Sequence, residues 1–343
     1  MSLNSEKQNV AVLGAGSWGM ALAMVLDFNQ HNVTLWEFRP DAAEKLQKTR
    51  DASEFLSGIQ LPPTIAVDSD LEKVCNGKDI LVIAVPSHVV REVATKIGAM
   101  SIAQKPKAVV NVAKGVENET LLRMSQVLQE CVPWLNAENV ATLSGPSHAE
   151  EVSRKIPTAI VAASKNLKIA EYIQKTFINK YFRVYTNQDI VGVELGGALK
   201  NIIALAAGIC DGAGFGDNTK AALQPRGLVE MVRLGTAMGA EAITFAGLSG
   251  MGDLIVTCMS RHSRNRYVGE QIGKGRKLQE ILDEMVMVAE GVKTTRSAYE
   301  LSKKYNVEMP ITEQVFQVLF DDKNPEDALY ELMMRGPKEE KWG

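Results

Sequence analysis

The chain has 343 residues, enough for two domains each with its own core, and its composition is ordinary for a soluble globular protein. A net charge of -3 offers no basic face to nucleic acid. Met1–Asn9 is short and polar rather than a signal peptide, and no charge-free apolar run reaches the roughly 18 residues of a membrane span. Cys75, Cys131, Cys210 and Cys258 form no C-x-x-C pair, and His31, His88, His148 and His262 lack ligand spacing. That pattern points to reduced thiols in a cytosol and to no metal site.

The first half alternates strand and helix. Val10–Leu13 is a short apolar run read as a buried strand, and Gly14-Ala15-Gly16-Ser17-Trp18-Gly19 follows it directly. Helix-forming residues, Met20 to Leu26, come next. Strand, G-x-G-x-x-G, helix is the setting in which this motif signals dinucleotide binding. Gly14 permits the tight turn, Gly16 lets the backbone approach a pyrophosphate, and Gly19 lets helix and strand pack closely. The helix N-terminus adds N–H groups and a positive dipole end. A second strand, Val33–Trp36, leads to Glu37, placed to bond a ribose 2′-hydroxyl, which favours NAD. Arg39, two residues on, is placed to hold a 2′-phosphate, which favours NADP; the sequence leaves both open.

Further buried strands are predicted at Ile80–Val85, Ala108–Ala113, Val140–Ser144, Ala159–Ala163 and Phe182–Thr186. This alternation predicts a doubly wound parallel sheet of the Rossmann type, with ligands at the carboxyl ends of its strands. Pro86, Lys114 and Gly145 stand at such ends. The expected dinucleotide-binding domain is 8–188.

From Asp189 the strand signals stop. Apolar periodicity predicts helices near 190–210, 219–238, 264–273, 277–287, 294–305, 310–320 and 325–334, an all-α domain over 189–336. The fold class is therefore α/β, a sheet domain followed by a helical one. The first of these helices contains Lys200 inside Gly196-Gly197-Ala198-Leu199-Lys200-Asn201, followed by the apolar run to Gly208. A segment apolar on all sides reads as a buried helix. Burying an ammonium is costly, so Lys200 needs a partner or a task, unless its stem alone is buried. This helix begins where the two predicted domains join, and such joins commonly form small-molecule sites.

Four segments are read as loops serving that site: Lys114-Gly115, Gly145-Pro146-Ser147, Gly250-Met251-Gly252-Asp253 and Ser260 to Arg266. The last is dense in hydroxyl, guanidinium and amide donors, and arginine forks match phosphate oxygens. An anionic phosphate ester is the natural guest.

Taken together, these residues resemble the bacterial NAD(P)-dependent glycerol-3-phosphate dehydrogenases. The glycine motif, Val85-Pro86-Ser87-His88, Lys114-Gly115, Ser144-Gly145-Pro146-Ser147, Gly196 to Asn201, Arg226-Gly227-Leu228, Gly250 to Leu254, Ser263 to Arg266, Val288 to Gly291 and Glu308 to Ile311 occur in the family's order. The resemblance implies interconversion of sn-glycerol 3-phosphate and dihydroxyacetone phosphate with NAD or NADP, supplying glycerol 3-phosphate for phospholipid synthesis. It implies a cytoplasmic protein without membrane insertion, with room for a homodimer. By the same resemblance Ser17, Trp18, Phe38, Arg39 and Ala149 contact the cofactor, and Lys114 touches cofactor and substrate. Gly145, Ser147, Asp253, Ser263, Arg264 and Asn265 hold the substrate, with Arg264 also near the cofactor. Val288 and Glu290 complete the nicotinamide side, and Lys200 is the acid/base. The chain departs from the family at Gln224-Pro225, where a short apolar-plus-threonine pair is usual. Two other readings are a hydroxy-acid dehydrogenase of the 6-phosphogluconate type and a non-catalytic NAD(P) sensor.

Overall fold

The computed structural model describes residues 6–102, 104–285, 287–337 and 339–340. Met1 to Ser5, and residue 286 at the end of the predicted 277–287 helix, lie outside them. The chain divides into two compact units. The first holds residues up to Ala113 together with Met124–Ile190; the second holds Lys114–Arg123 and the residues from Val191 on.

The first unit contains β1 (Asn9–Leu13), α1 (Ser17–Phe28), β2 (Asn32–Trp36), α2 (Pro40–Thr49), β3 (Ala66–Asp68), α3 (Leu71–Cys75), β4 (Ile80–Ile83) and α4 (Val90–Ala99). It continues with β5 (Ala108–Asn111), α5 (Met124–Cys131), β6 (Val140–Ser144), α6 (Ala149–Val152), β7 (Thr158–Ala163), α7 (Leu167–Phe177) and β8 (Phe182–Asn187). The eight strands form one sheet in the order β3-β2-β1-β4-β5-β6-β7-β8. The order reverses beside β1, where such sheets bind ligands. β4, β5 and β6 are buried at every position, which is why their sequences run apolar without alternation.

The sheet is not wholly parallel, as the sequence suggested. β7 runs antiparallel to β6, with Thr142 opposite Ala163. The link from Gly145 to Pro157 contains only the single-turn α6, too little for the usual helical crossover, so the strand turns back from the same edge. The three-residue β3 escaped prediction because it pairs along only Ala66–Asp68, on the outer side of β2. β4 and β5 stop at Ile83 and Asn111, two residues short of their predicted ends.

The second unit is helical: α8 (Ile190–Gly212), α9 (Asp217–Ala237), α10 (Asp253–Met259), α11 (Arg264–Gly273), α12 (Leu278–Glu284), α13 (Glu290–Lys304), α14 (Pro310–Phe320) and α15 (Pro325–Met333). Its centre is α8, buried without interruption from Gly192 to Cys210. By length and composition α8 could cross a membrane, but 94% of its most apolar window is buried inside the fold. It is a core helix. Glycines let α11 touch it backbone to backbone: a Cβ on Gly208 would lie 2.0 Å from the Arg266 carbonyl, and one on Gly269 would lie 2.1 Å from that of Leu205. Pro225 sits inside α9, which continues past it despite the missing N–H donor.

Two expectations are corrected here. Gly250 to Asp253 is not a loop: Leu248–Gly252 is a π-helical turn running straight into α10, with Asp253 as its first residue. Arg264 to Arg266 are likewise not loop: they open the helix predicted at 264–273, as the first turn of α11 capped by Ser263, whose Oγ accepts from the Arg266 N–H.

Candidate active site

Lys200 lies midway along α8 and is 6% exposed. Its Nζ donates to Asp253 Oδ1 at 2.8 Å and to Thr257 Oγ1 at 2.6 Å. The Thr257 hydroxyl spends its proton on the Asp253 carbonyl, one helical turn back, which leaves its oxygen to accept from Lys200. An ammonium has three donors, and the third on Lys200 has no partner among the described residues. The second oxygen of Asp253 accepts from Lys114 Nζ at 2.6 Å. One carboxylate, 1% exposed, therefore holds two ammonium groups.

This geometry explains the titration of the pair. Burial lowers the Lys200 pKa, Asp253 pulls it back up, and the positive charge of Lys114 lowers it again, leaving it at about 8. Burial alone would raise the Asp253 carboxyl, but the two ammonium groups outweigh it and hold the pKa below the usual carboxylate range. Close packing sets the distances. A Cβ on Gly196 would lie 2.6 Å from the Ser249 carbonyl, so only glycine lets α8 approach the π-helical turn that delivers Asp253.

Lys114 is delivered by the segment Lys114–Arg123, which belongs with the helical unit although the sequence places it in the sheet domain. The segment is pinned along its length. Asn201 Nδ2 donates to the Lys114 carbonyl at 3.4 Å, and Val116 is buried in the helical core. Ser297 Oγ, on α13, reaches Val116 O at 3.1 Å and Asn118 Oδ1 at 2.6 Å. Arg123 closes the segment with an ion pair to Glu194 on α8, the side chains 11% and 4% exposed.

Of the remaining predicted residues of the helical unit, Asn265 joins the same network through Asn201. Asn265 Nδ2 donates to Asn201 Oδ1 at 2.9 Å, and its Oδ1 accepts from the Gly291 N–H at 2.8 Å. Arg264 Nη1 donates to the Val288 carbonyl at 2.9 Å, just before Glu290 opens α13. Thr257, Ser297 and the Arg123–Glu194 pair escaped the sequence reading. Thr257 was findable: it lies four residues after Asp253, on the same face once that stretch is read as a helix.

The other predicted residues lie on the sheet unit. Gly14 has φ +122°, and a Cβ there would lie 2.8 Å from the Ala84 carbonyl. A Cβ on Gly19 would fall 1.9 Å from the Gly14 carbonyl, so α1 packs directly on the turn. Gly16 precedes α1, no side chain caps that helix, and nothing lies within 4 Å of where its Cβ would be. A tight turn with open space above an uncapped helix N-terminus fits a pyrophosphate. Ser17 and Trp18 form the first turn of α1, and Trp18 Nε1 is buried without a partner among the described residues. At the end of β2, Arg39 Nε donates to Glu37 Oε1 at 2.8 Å, so the two residues whose signals conflict form one ion pair. Phe38 between them is 67% exposed. After β6, Gly145 has φ +139°, Ser147 Oγ donates to the Gly145 carbonyl at 2.8 Å, and Ala149 begins α6.

Comparison with known proteins decides the family. The family model described as NAD-dependent glycerol-3-phosphate dehydrogenase N-terminus matches residues 9–170, and its C-terminus model matches 189–330. The chain belongs to the NAD-dependent glycerol-3-phosphate dehydrogenase family. A glycerol-3-phosphate dehydrogenase [NAD(P)+] of Thermoanaerobacter sp. is 52% identical over 334 residues, covering 97% of this chain and 99% of the relative. One of Bacillus pumilus is 50% identical over 328 residues, covering 96% and 94%. The crystal structure of glycerol-3-phosphate dehydrogenase from Coxiella burnetii superposes with a TM-score of 0.91 at 36% identity, covering 96% of this chain and 99% of that one.

Proposed function

We propose that the chain interconverts sn-glycerol 3-phosphate and dihydroxyacetone phosphate with NAD or NADP, and that Lys200 is its general acid/base. The observation that supports Lys200 is its third N–H donor, unmatched among the described residues on a buried ammonium whose other two donors fix its direction. When bound, the reduced nicotinamide supplies the hydride, a job no side chain performs. Lys200 gives its proton to the carbonyl oxygen during reduction and takes it back from the hydroxyl during oxidation. Such a group contributes roughly 10²- to 10⁴-fold. Lys114, on the same carboxylate, stabilises the developing alkoxide. Two ammonium groups against one carboxylate leave the site net positive, the right sign for an anionic substrate.

The first turn of α11, with Ser263, Arg264 and Asn265, takes the phosphate, so that binding energy remote from the reacting carbon orients it. Gly145 and Ser147 complete the substrate contacts. Gly14, Gly16, Ser17, Trp18, Gly19, Phe38, Arg39 and Ala149 hold the dinucleotide, with Lys114, Arg264, Val288 and Glu290 toward the nicotinamide. On this reading residues 8–188 bind the dinucleotide and 189–336, with the Lys114 segment, do the chemistry. Free thiols, three of them buried, suit a cytoplasmic enzyme that supplies glycerol 3-phosphate for phospholipid synthesis.

The test is dihydroxyacetone phosphate reduction with NADH and then NADPH, followed at the nicotinamide absorbance. Lys200→Met is expected to lose at least ~10²-fold in kcat. A variant within a few-fold of the parent would remove Lys200 from the mechanism.

A further inference from the structure

Two motifs play no part in the chemistry above, Arg226-Gly227-Leu228 on α9 and Glu308 to Ile311 at the start of α14. In the structure they meet. Glu230, one turn after Arg226, is 2% exposed and turns its carboxylate onto the N-terminus of α14. It accepts from the Ile311 N–H at 2.6 Å, the Thr312 N–H at 3.0 Å and the Thr312 hydroxyl at 2.9 Å. Beside this junction α8, α9, α14 and α15 line a half-open cavity of about 620 Å³ within the helical unit. That is the size of a pocket for one small organic molecule.

The walls are aliphatic: Ile209, Leu223, Val315, Val318, Leu329 and Leu332 all line it. The polar groups are fewer, and the charged ones among them are mostly cationic. Arg226 and Arg233 both line it and stand seven residues apart on α9, hence on one face. Neither forms an ion pair among the described residues, whereas Arg335 at the far rim is bound to Glu308. The one lining carboxylate, Glu230, is already saturated by three donors from α14. Gln314 gives its amide N–H to Glu331, while its Oε1 is buried and accepts nothing among the described residues.

An apolar groove carrying two guanidinium groups outside any ion pair among the described residues, Arg233 drawn only at longer range by Glu230, is complementary to a particular chemistry. We propose that this cavity is a second ligand site, separate from the Lys200 centre, for an amphipathic anion: an aliphatic chain carrying a carboxylate or phosphate head. The chain would displace water from the aliphatic walls, and the head would take Arg226 and Arg233.

The experiment is calorimetric titration of the full chain with decanoate, decyl phosphate and the uncharged octyl glucoside, each below its micelle concentration. Saturable binding of an anionic probe is expected, at least about tenfold weaker in Arg226→Ala and in Arg233→Ala, each of which loses a charged hydrogen bond to the head. Arg226 is exposed, so its variant should fold, and its kcat/KM for dihydroxyacetone phosphate should match the parent's. Whichever of decanoate and decyl phosphate binds more tightly identifies the head group. Three outcomes overturn the proposal. The arginine variants bind like the parent, octyl glucoside binds as tightly as the anions, or no probe binds because a second copy fills the cavity, seen as self-association that Leu329→Glu abolishes.

Discussion

Two ammonium groups share the carboxylate of Asp253, and that stoichiometry fixes how Lys200 should titrate. A lysine brought down to about 8 by burial and by Lys114 loses its proton within reach of working pH. Oxidation of glycerol 3-phosphate needs the free amine as base, so its rate should rise with pH through an apparent pKa near 8. Reduction needs the ammonium and should fall over the same range. Lys114→Met removes the neighbouring positive charge, so the apparent pKa should move up, and kcat should drop as well. A profile that drops in height with no shift would mean that Lys114 does not act on Lys200 electrostatically. At the end of β2 the Glu37–Arg39 ion pair makes a separate prediction. With the carboxylate held by the guanidinium, Arg39→Ala should raise KM for NADPH more than for NADH, and equal losses would take Arg39 away from the 2′-position.

At the scale of elements, the site depends on how the Lys114 segment and α11 are seated. Losing one partner of a buried ion pair costs about 3–5 kcal/mol. Arg123→Met should therefore lower unfolding stability by that order in a denaturant titration, and should weaken turnover by letting Lys114 drift. Glu230 gives α14 a pH dependence. Burial outweighs its three hydrogen bonds and raises its pKa to about 7, so between about 4.5 and 7 the folded chain binds more protons than the unfolded one. Its contribution to stability is thus greatest at acid pH and falls as pH rises through that window. The stability gap between the parent and Glu230→Gln should narrow by about 3 kcal/mol between pH 5 and 8. These elements also mark what could be read from the chain. β1 and β6 were legible as short apolar runs with a clear stop, and α11 and α14 by their helical period. The antiparallel β7 was not, because direction depends on the length of a connection and leaves no mark on the strand. α10 was missed because Gly250 and Gly252 look like loop residues. Gly250 is glycine so that a helical turn can press against other backbone, as the 2.1 Å from a Gly250 Cβ to the Phe245 carbonyl makes plain. Lys200 was legible as a charge in an apolar helix, whereas its partners came from distant turns that no local pattern joins.

For the molecule as a whole, the proposed tasks fall on separate units, the glycine turn on the sheet and the Lys200 network on the helices. Separation of this kind predicts that the tasks come apart under mutation. Lys200 belongs to the helical unit, and Lys200→Met replaces a buried cation with an apolar side chain of similar length. It does leave Asp253 with Lys114 as its one ammonium, so some stability should be lost. Dinucleotide binding should survive. Saturation at about 100 Kd stabilises a folded protein by about 2.7 kcal/mol, whatever its starting stability. The thermal midpoint of Lys200→Met should accordingly rise with NADH by nearly the parent's increment, from a lower baseline, while ketone reduction is lost. A Gly16→Val variant should show the reverse. Its backbone sits where open space meets the uncapped end of α1, so the fold tolerates the larger side chain but the pyrophosphate does not. The NADH-dependent rise should vanish with the baseline midpoint little changed. If both variants lost the rise together, the dinucleotide would have to lean on the lysine itself, and the assignment of tasks to units would fail.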